Sequence, residues 1–137
     1  MMNSYKTNYL KVKEFTQAME QPVDMLPSDS KLLSQYALRK ILIREESDEA
    51  MEAFDAILRV GPTPDNLAHL TKELADILYV VYGAAVTFGL PLEEVFNRVH
   101  ISNMSKLVDG KPLKRDDGKV LKWPNYQPPK LDDLFNG

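Results

Sequence analysis

The sequence predicts an all-α fold, an antiparallel four-helix bundle that ends in a turn-rich or hairpin extension. Three observations support it: four segments repeat apolar residues at helical spacing, the later segments are joined by short links, and helical spacing is lost after Leu107. A chain of 137 residues has the size of one domain. We therefore predict a single domain over residues 1–137, with an N-terminal helix and linker at 1–27 and a basic loop and tail at 108–137.

The composition is that of a folded globular protein, with 44% hydrophobic and 27% charged residues. A net charge of -3 argues against a nucleic-acid partner, and the absence of cysteine excludes disulfides and thiolate metal sites. The longest uncharged run, Ile77 to Leu92, is shorter than the roughly 20 residues of a membrane span and is interrupted by glycine and proline. We expect a cytoplasmic protein without a membrane partner.

The first two predicted helices lie on either side of a proline-containing link. The first covers about Tyr5 to Met19, where apolar residues recur at helical spacing. The second covers about Ser30 to Arg59, with Ser28 or Asp29 as its N-cap and Gly61-Pro62 as its stop.

The next two predicted helices follow after short connections. The third covers about Pro64 to Phe88, with Thr63 as its N-cap and Gly89 at its C-terminal end. The fourth extends from Pro91 to about Leu107. Residues 108–129 contain two Asp-Gly pairs and several prolines, which predicts turns or a small hairpin, and a short helix is expected near residues 131–135.

Acidic residues interrupt the apolar stripe of the second predicted helix. A rotation of about 100° per residue places Glu45 and Glu49 in the middle of this stripe and Glu46 at its edge. The third helix repeats the pattern, because Glu73 and Asp76 lie on a face that continues with apolar residues. Charge on an apolar face requires compensation.

A divalent cation is one such compensation, because four or five neighbouring carboxylates repel one another. A set of oxygen ligands suits Mg²⁺, with Mn²⁺ as a substitute. A solvated acidic face is the alternative interpretation. A di-iron carboxylate bundle needs Glu-x-x-His motifs, whereas asparagine stands three residues before both His69 and His100. We interpret both histidines as surface or packing residues.

The fourth helix and the following loop carry groups that suit a nucleotide. Asn103 and Lys106 continue the apolar stripe of this helix, where an amide and an ammonium can bind a sugar hydroxyl and a phosphate; the alternative is a frayed helix end facing water. The segment from Lys106 to Lys122 has six basic residues against three acidic ones. Such a segment can fold over a triphosphate, although a solvated loop has the same composition.

These motifs resemble those of a known superfamily. Glu45-Glu46-Ser47-Asp48-Glu49 and Glu73-Leu74-Ala75-Asp76 resemble the ExxE…ExxD signature of the MazG-like all-α NTP pyrophosphohydrolases. The segments 99–106, 117–122 and 124–126 are similar to the phosphoribosyl-ATP pyrophosphohydrolase-like branch, some members of which act on dUTP. The resemblance covers residues 38–129. Base choice is expected to depend on the N-terminal region and on the loop between the second and third helices, and residues 5–27 match no specific base-reading pattern.

The resemblance implies a MazG-type fold and a role for each matching residue. Family members hydrolyse the bond between the α and β phosphates, and they form homodimers or homotetramers with active sites at or near subunit interfaces. Glu46, Glu49, Glu73 and Asp76 match the metal ligands, and Glu45 matches an additional acid near the metal ions. Asn103 and Lys106 match nucleotide-contacting residues, and Lys119 and Lys122 match basic residues near the phosphates.

The resulting hypothesis is Mg²⁺-dependent hydrolysis of dUTP, or of a related pyrimidine or noncanonical deoxynucleotide, to a monophosphate and pyrophosphate. Two or three ions are expected, with Glu45 or Glu46 as the general base. Phosphoribosyl-ATP is the alternative substrate. A helical dimerisation module and a nucleotide-binding regulator without turnover are the non-catalytic alternatives.

Overall fold

The computed structural model describes residues 6–119 and 123–136. It contains five α-helices: α1 (Asn8–Ala18), α2 (Leu32–Val60), α3 (Pro64–Phe88), α4 (Leu92–Met104) and α5 (Asp132–Phe135). No strand occurs in this described part of the chain, so the predicted all-α class is confirmed. The four-helix bundle stays a prediction.

Local sequence accounts for most helix ends. The Thr63 hydroxyl accepts a hydrogen bond from the Asn66 amide at 3.2 Å, and Pro64 occupies the first turn of α3, as predicted. Gly89 ends α3 in the left-handed conformation with φ 62°, and Gly61 ends α2 with φ 104°.

Two predicted helix ends are wrong. The N-cap of α2 is Lys31, whose side chain has no acceptor and makes no cap hydrogen bond. The predicted cap Asp29 lies in the preceding turn, where its carboxylate accepts from the Leu26 amide at 2.7 Å. Helix α4 ends at Met104, before the predicted Leu107, because the Ser105 hydroxyl donates to the Ser102 carbonyl at 2.5 Å and the chain turns there.

The chain divides into two compact units, Met1–Leu90 and Pro91–Gly137. The predicted single domain is not decided by this division and stays a prediction. Within the first unit, α3 packs against both α2 and α1. Helices α2 and α3 are antiparallel: Tyr36 near the start of α2 stacks on Phe88 at the end of α3, with ring centroids 3.7 Å apart.

The fully buried apolar core of the described residues is small and consists of Val12, Ala50, Ala53, Ala85 and Val86. Large apolar side chains remain exposed on the same helices, with Leu33 at 80% and Leu58 at 83% of their full accessible area. Small side chains at the α2–α3 contact allow the two helices to approach closely.

In the second unit, the C-terminal segment returns along α4. The Ser102 hydroxyl donates to the Gln127 carbonyl at 2.6 Å, and the Gln127 amide donates to the Ser105 hydroxyl at 2.9 Å. The predicted Asp109-Gly110 turn is present, closed by an isolated antiparallel bridge between Val108 and Lys111. In the described ranges, no single helix is long and apolar enough to cross a membrane, and the bent pair of α3 and α4 meets these criteria only when the two are taken together.

Candidate metal centre

Helices α2 and α3 bring four carboxylates together. Each residue of the set Glu46, Glu49, Glu73 and Asp76 offers an oxygen, and these four oxygens lie within 4.8 Å of one another. We call this set the acid cluster. The i,i+3 spacing on each helix places two carboxylates on one face, and the antiparallel packing turns the two faces toward each other.

In the described part of the chain, no hydrogen-bond donor reaches two buried oxygens of the acid cluster. They are Glu46 Oε2 and Glu73 Oε2, and Glu73 as a whole is only 6% exposed. A desolvated carboxylate oxygen without a donor is costly. The donor set therefore fits a hard divalent cation, which binds carboxylate oxygens and neutralises their charge.

Crowding of like charges affects the protonation of the acid cluster. The neighbouring Glu46 carboxylate, with a smaller contribution from Glu73, raises the pKa of Glu49 above its usual value. A bound cation would oppose this shift, because it favours the charged form of each carboxylate.

Two nearby basic side chains partly neutralise the α3 acids. Lys72 Nζ lies 2.6 Å from Asp76 Oδ2 and 3.6 Å from Glu73 Oε1, and its bond to Asp76 raises the pKa of Lys72. His69 Nε2 lies 3.3 Å from Glu73 Oε1, one helical turn away. Lys72 and His69 are largely exposed, so both can turn toward water when another cation approaches.

The sequence interpretation missed both neighbours of Glu73. The i,i+4 spacing from His69 to Glu73 and from Lys72 to Asp76 was the available indication. The side chain of His69, which was predicted to be a surface or packing residue, is exposed, and it lies outside the set of clustered metal-ligand atoms.

Burial along α2 corrects the predicted face. Glu46, placed at the edge of the apolar stripe, is partly buried, whereas Glu45 and Glu49, placed in its middle, are exposed. The reason is that α3 covers the row containing Glu46, Ala50 and Ala53. Glu45 is not part of the acid cluster, and its proposed role as base stays a prediction.

The predicted substrate-binding residues belong to the second unit. Asn103 is exposed on the last turn of α4, and Lys106 Nζ lies 4.2 Å from the Trp123 ring centroid and 5.7 Å from that of Tyr126. Lys119 ends the predicted Asp117-Gly118 turn, where its amide donates to Asp117 Oδ1 at 3.0 Å. Lys122 lies outside the described residues. The nucleotide-binding role of all four stays a prediction.

Comparisons with known proteins are consistent with these features. The family model described as phosphoribosyl-ATP pyrophosphohydrolase matches residues 12–103, which include the whole acid cluster. An uncharacterized protein of Acanthamoeba polyphaga mimivirus is 32% identical over 87 residues, covering 59% of this chain. The match covers 35% of the viral protein, so the chain spans about a third of that relative.

Proposed function

The chain belongs to the phosphoribosyl-ATP pyrophosphohydrolase family, and on that premise we propose that it is a nucleotide pyrophosphohydrolase whose substrate is a deoxynucleoside triphosphate, dUTP or a related pyrimidine or noncanonical nucleotide. The products are the monophosphate and pyrophosphate. The observation that carries the proposal is the acid cluster, with four carboxylate oxygens within 4.8 Å of one another and two of the carboxylates holding a buried oxygen without a donor.

We assign the metal to this cluster and propose Mg²⁺, with Mn²⁺ as a substitute. Glu46, Glu49, Glu73 and Asp76 would hold it, and Mg²⁺ would supply binding of triphosphate oxygens and a more acidic bound water. The exposed position of Glu45 next to Glu46 supports a general-base role for one of the two glutamates, since a base must accept a proton from water near the phosphate.

Cationic and amide groups of the second unit are proposed to bind the substrate. Lys106, Lys119 and Lys122 would neutralise phosphate charge, and Asn103 would bind the sugar. The contact of Lys106 with Trp123 and Tyr126 supports this role, because the two rings position an ammonium group that can donate to an anion.

Phosphoribosyl-ATP is the second candidate substrate, and the description of the matching family favours it. Both substrates contain the same α–β anhydride, so the acid cluster serves either. The choice between the two substrates would depend on how the protein binds the base and its substituents.

A panel assay tests the proposal. Pyrophosphate release is measured with dUTP, the other deoxynucleoside and ribonucleoside triphosphates, and phosphoribosyl-ATP, each with Mg²⁺ and with a chelator. We expect Mg²⁺-dependent release that is fastest with dUTP. Release fastest with phosphoribosyl-ATP would support the second candidate. No release from any nucleotide would leave the non-catalytic regulator or dimerisation module and contradict the proposal.

We also propose that the chain works as a homodimer or homotetramer in the cytoplasm. The exposed apolar side chains on α2 and α3 support self-association, because monomeric soluble proteins rarely expose large contiguous apolar surface. The absence of cysteine supports the cytoplasmic setting. Light scattering with size-exclusion chromatography tests the first point; a monomer at micromolar concentration would contradict it.

A further inference from the structure

A pocket of about 200 Å³ lies among α1, α2 and α3. Its walls are mainly apolar and aromatic, and Phe15 meets Tyr79 edge to face with ring centroids 5.7 Å apart. The side chains of Arg39 and Gln21 add polar groups to the wall. We call it the Arg39 pocket. An apolar cavity with a few polar groups is the usual form of a small-molecule site.

The Arg39 pocket and the acid cluster occupy successive turns of the same two helices. Leu42 lines the pocket and Glu46 follows it by four residues on α2; Val80 lines the pocket and Asp76 precedes it by four residues on α3. Four residues correspond to about 6 Å along a helix and to nearly the same face. The sugar and first phosphate of a nucleotide can bridge this distance.

The guanidinium of Arg39 holds one buried donor that no group of the described residues accepts. Its Nε atom is buried and has no hydrogen-bond partner, and burial lowers the pKa of Arg39. Arginine offers five donors and no acceptor. An aromatic ligand with carbonyl oxygens would complement these donors.

Gly83 makes room for this guanidinium. A Cβ atom added at Gly83 would lie 3.0 Å from Arg39 Nη1, which is tighter than ordinary contact. Glycine in the interior of a helix is unfavourable relative to alanine. Its presence inside α3, five residues before the helix ends at Phe88, is explained by the close approach of the arginine.

We propose that the Arg39 pocket binds the nucleobase and that Arg39 selects bases with a carbonyl group at pyrimidine C4 or purine C6 over bases with an amino group at that position. This inference rests on the proposed function, since the acid cluster fixes the phosphate end of the ligand. Guanidinium donors pair with the carbonyl oxygens of uracil, thymine and guanine. The exocyclic amines that cytosine and adenine carry at the corresponding positions are donors, so they cannot accept a hydrogen bond from the guanidinium there.

Nucleoside monophosphates test the inference without turnover. Calorimetry with the full chain and Mg²⁺ measures the Kd of dUMP, dGMP, dCMP and dAMP. We expect dUMP and dGMP to bind at least about tenfold more tightly than dCMP and dAMP, within the range for one good arginine–base pair. Equal affinities for the four, or no binding of any, would overturn the inference.

Variants connect this preference to the arginine. We expect Arg39→Met to bind the four monophosphates with nearly equal affinity. The control is Arg59→Met, which changes an exposed arginine at the end of the same helix and should retain the preference for dUMP and dGMP. Gly83→Ala, which displaces the guanidinium, provides a second variant if Arg39→Met does not fold, as judged by circular dichroism. Retention of the preference in a folded Arg39→Met or Gly83→Ala variant would contradict the role of Arg39.

The two proposals fail in different ways. A preference for dUMP and dGMP without any pyrophosphate release would contradict the proposed function and support the pocket. Mg²⁺-dependent pyrophosphate release with equal monophosphate affinities would support the function and contradict the role of Arg39.

Discussion

Two groups of acidic side chains in this protein differ in where their positive charge comes from. In the second unit, Arg98 lies between Glu94 and Asp133, 3.1 Å from the first and 2.6 Å from the second. In the acid cluster, four carboxylates converge, and the basic groups that reach them, Lys72 and His69, are mostly exposed. Arg98 thus pairs with both of its acids within the chain, whereas the acid cluster brings four carboxylates together beside one lysine and one histidine.

The largest effect is expected from breaking the acid cluster itself. Glu49→Gln keeps the size of the side chain but removes one charge, and we expect at least about a 100-fold loss of pyrophosphate release, since even outer partners of metal ligands affect activity by 10- to 100-fold. Glu52→Gln, an exposed acid on the same helix, is the control. A fully active Glu49→Gln variant with normal circular dichroism would refute the metal assignment.

The effect of Mg²⁺ on the melting temperature should depend on the acid cluster and should not depend on the acids paired with Arg98. Binding to the folded state alone at 100 times Kd stabilises a protein by about 2.7 kcal/mol. We expect the melting temperature of the wild type to rise with Mg²⁺, the rise to disappear in Glu73→Gln, and the rise to persist in Asp133→Asn. A melting temperature that does not respond to Mg²⁺ in the wild type would favour the solvated-acid alternative.

Removal of Lys72 tests whether this lysine and Mg²⁺ compete for the same carboxylates of the acid cluster. This exposed lysine competes with a metal ion for Asp76 and Glu73. We expect Lys72→Gln to bind Mg²⁺ about two- to fivefold more tightly, because exposed ion pairs are weak. Titration calorimetry measures the change, with Lys40→Gln, an exposed lysine on α2, as the control. Weaker Mg²⁺ binding by Lys72→Gln would show that the lysine supports the site.

The smallest effect concerns the ion pairs that Arg98 makes with Glu94 and Asp133. The hydrogen bond from Arg98 lowers the pKa of Asp133 below the usual 3.8. A lowered pKa gives stability that is present above the unfolded value and is lost as the pH falls through the folded value. We expect the protection of the α5 amides against hydrogen exchange, taken relative to the intrinsic exchange rate at each pH, to decrease as the pH falls through this range.

Asp133→Asn should remove this pH dependence, whereas Asp132→Asn, its neighbour in α5, should keep it. Exchange in α5 that is equally sensitive to acid in wild type and Asp133→Asn would show that another group controls the docking of this helix. Hydrogen–deuterium exchange read by mass spectrometry resolves the segment.

Much of the fold and part of the site follow from local sequence. Thr63, Pro64 and Gly89 define the ends of α3 because caps and left-handed turns depend on neighbouring residues alone. The spacing of the acidic pairs on α2 and α3 likewise places each pair on one helical face. A resemblance to known pyrophosphohydrolases was visible in the same motifs, and the family match confirms it.

The tertiary structure decided what periodicity leaves open. Packing of α3 selected the row of α2 containing Glu46 over the neighbouring row containing Glu45, a rotation of about 100° that a mixed apolar pattern does not resolve. The tertiary structure also places Arg39 against Gly83 and pairs Arg98 with Asp133, which is 35 residues away in the chain.

The sequence by itself thus determined an all-helical chain with two acidic motifs at helical spacing, because helix formation and side-chain rotation are local properties. Only the tertiary structure decided which carboxylate oxygens are buried together and which basic groups reach them. The physical reason is that burial and charge compensation depend on contacts between residues distant in the chain, here between Glu46 and Glu73.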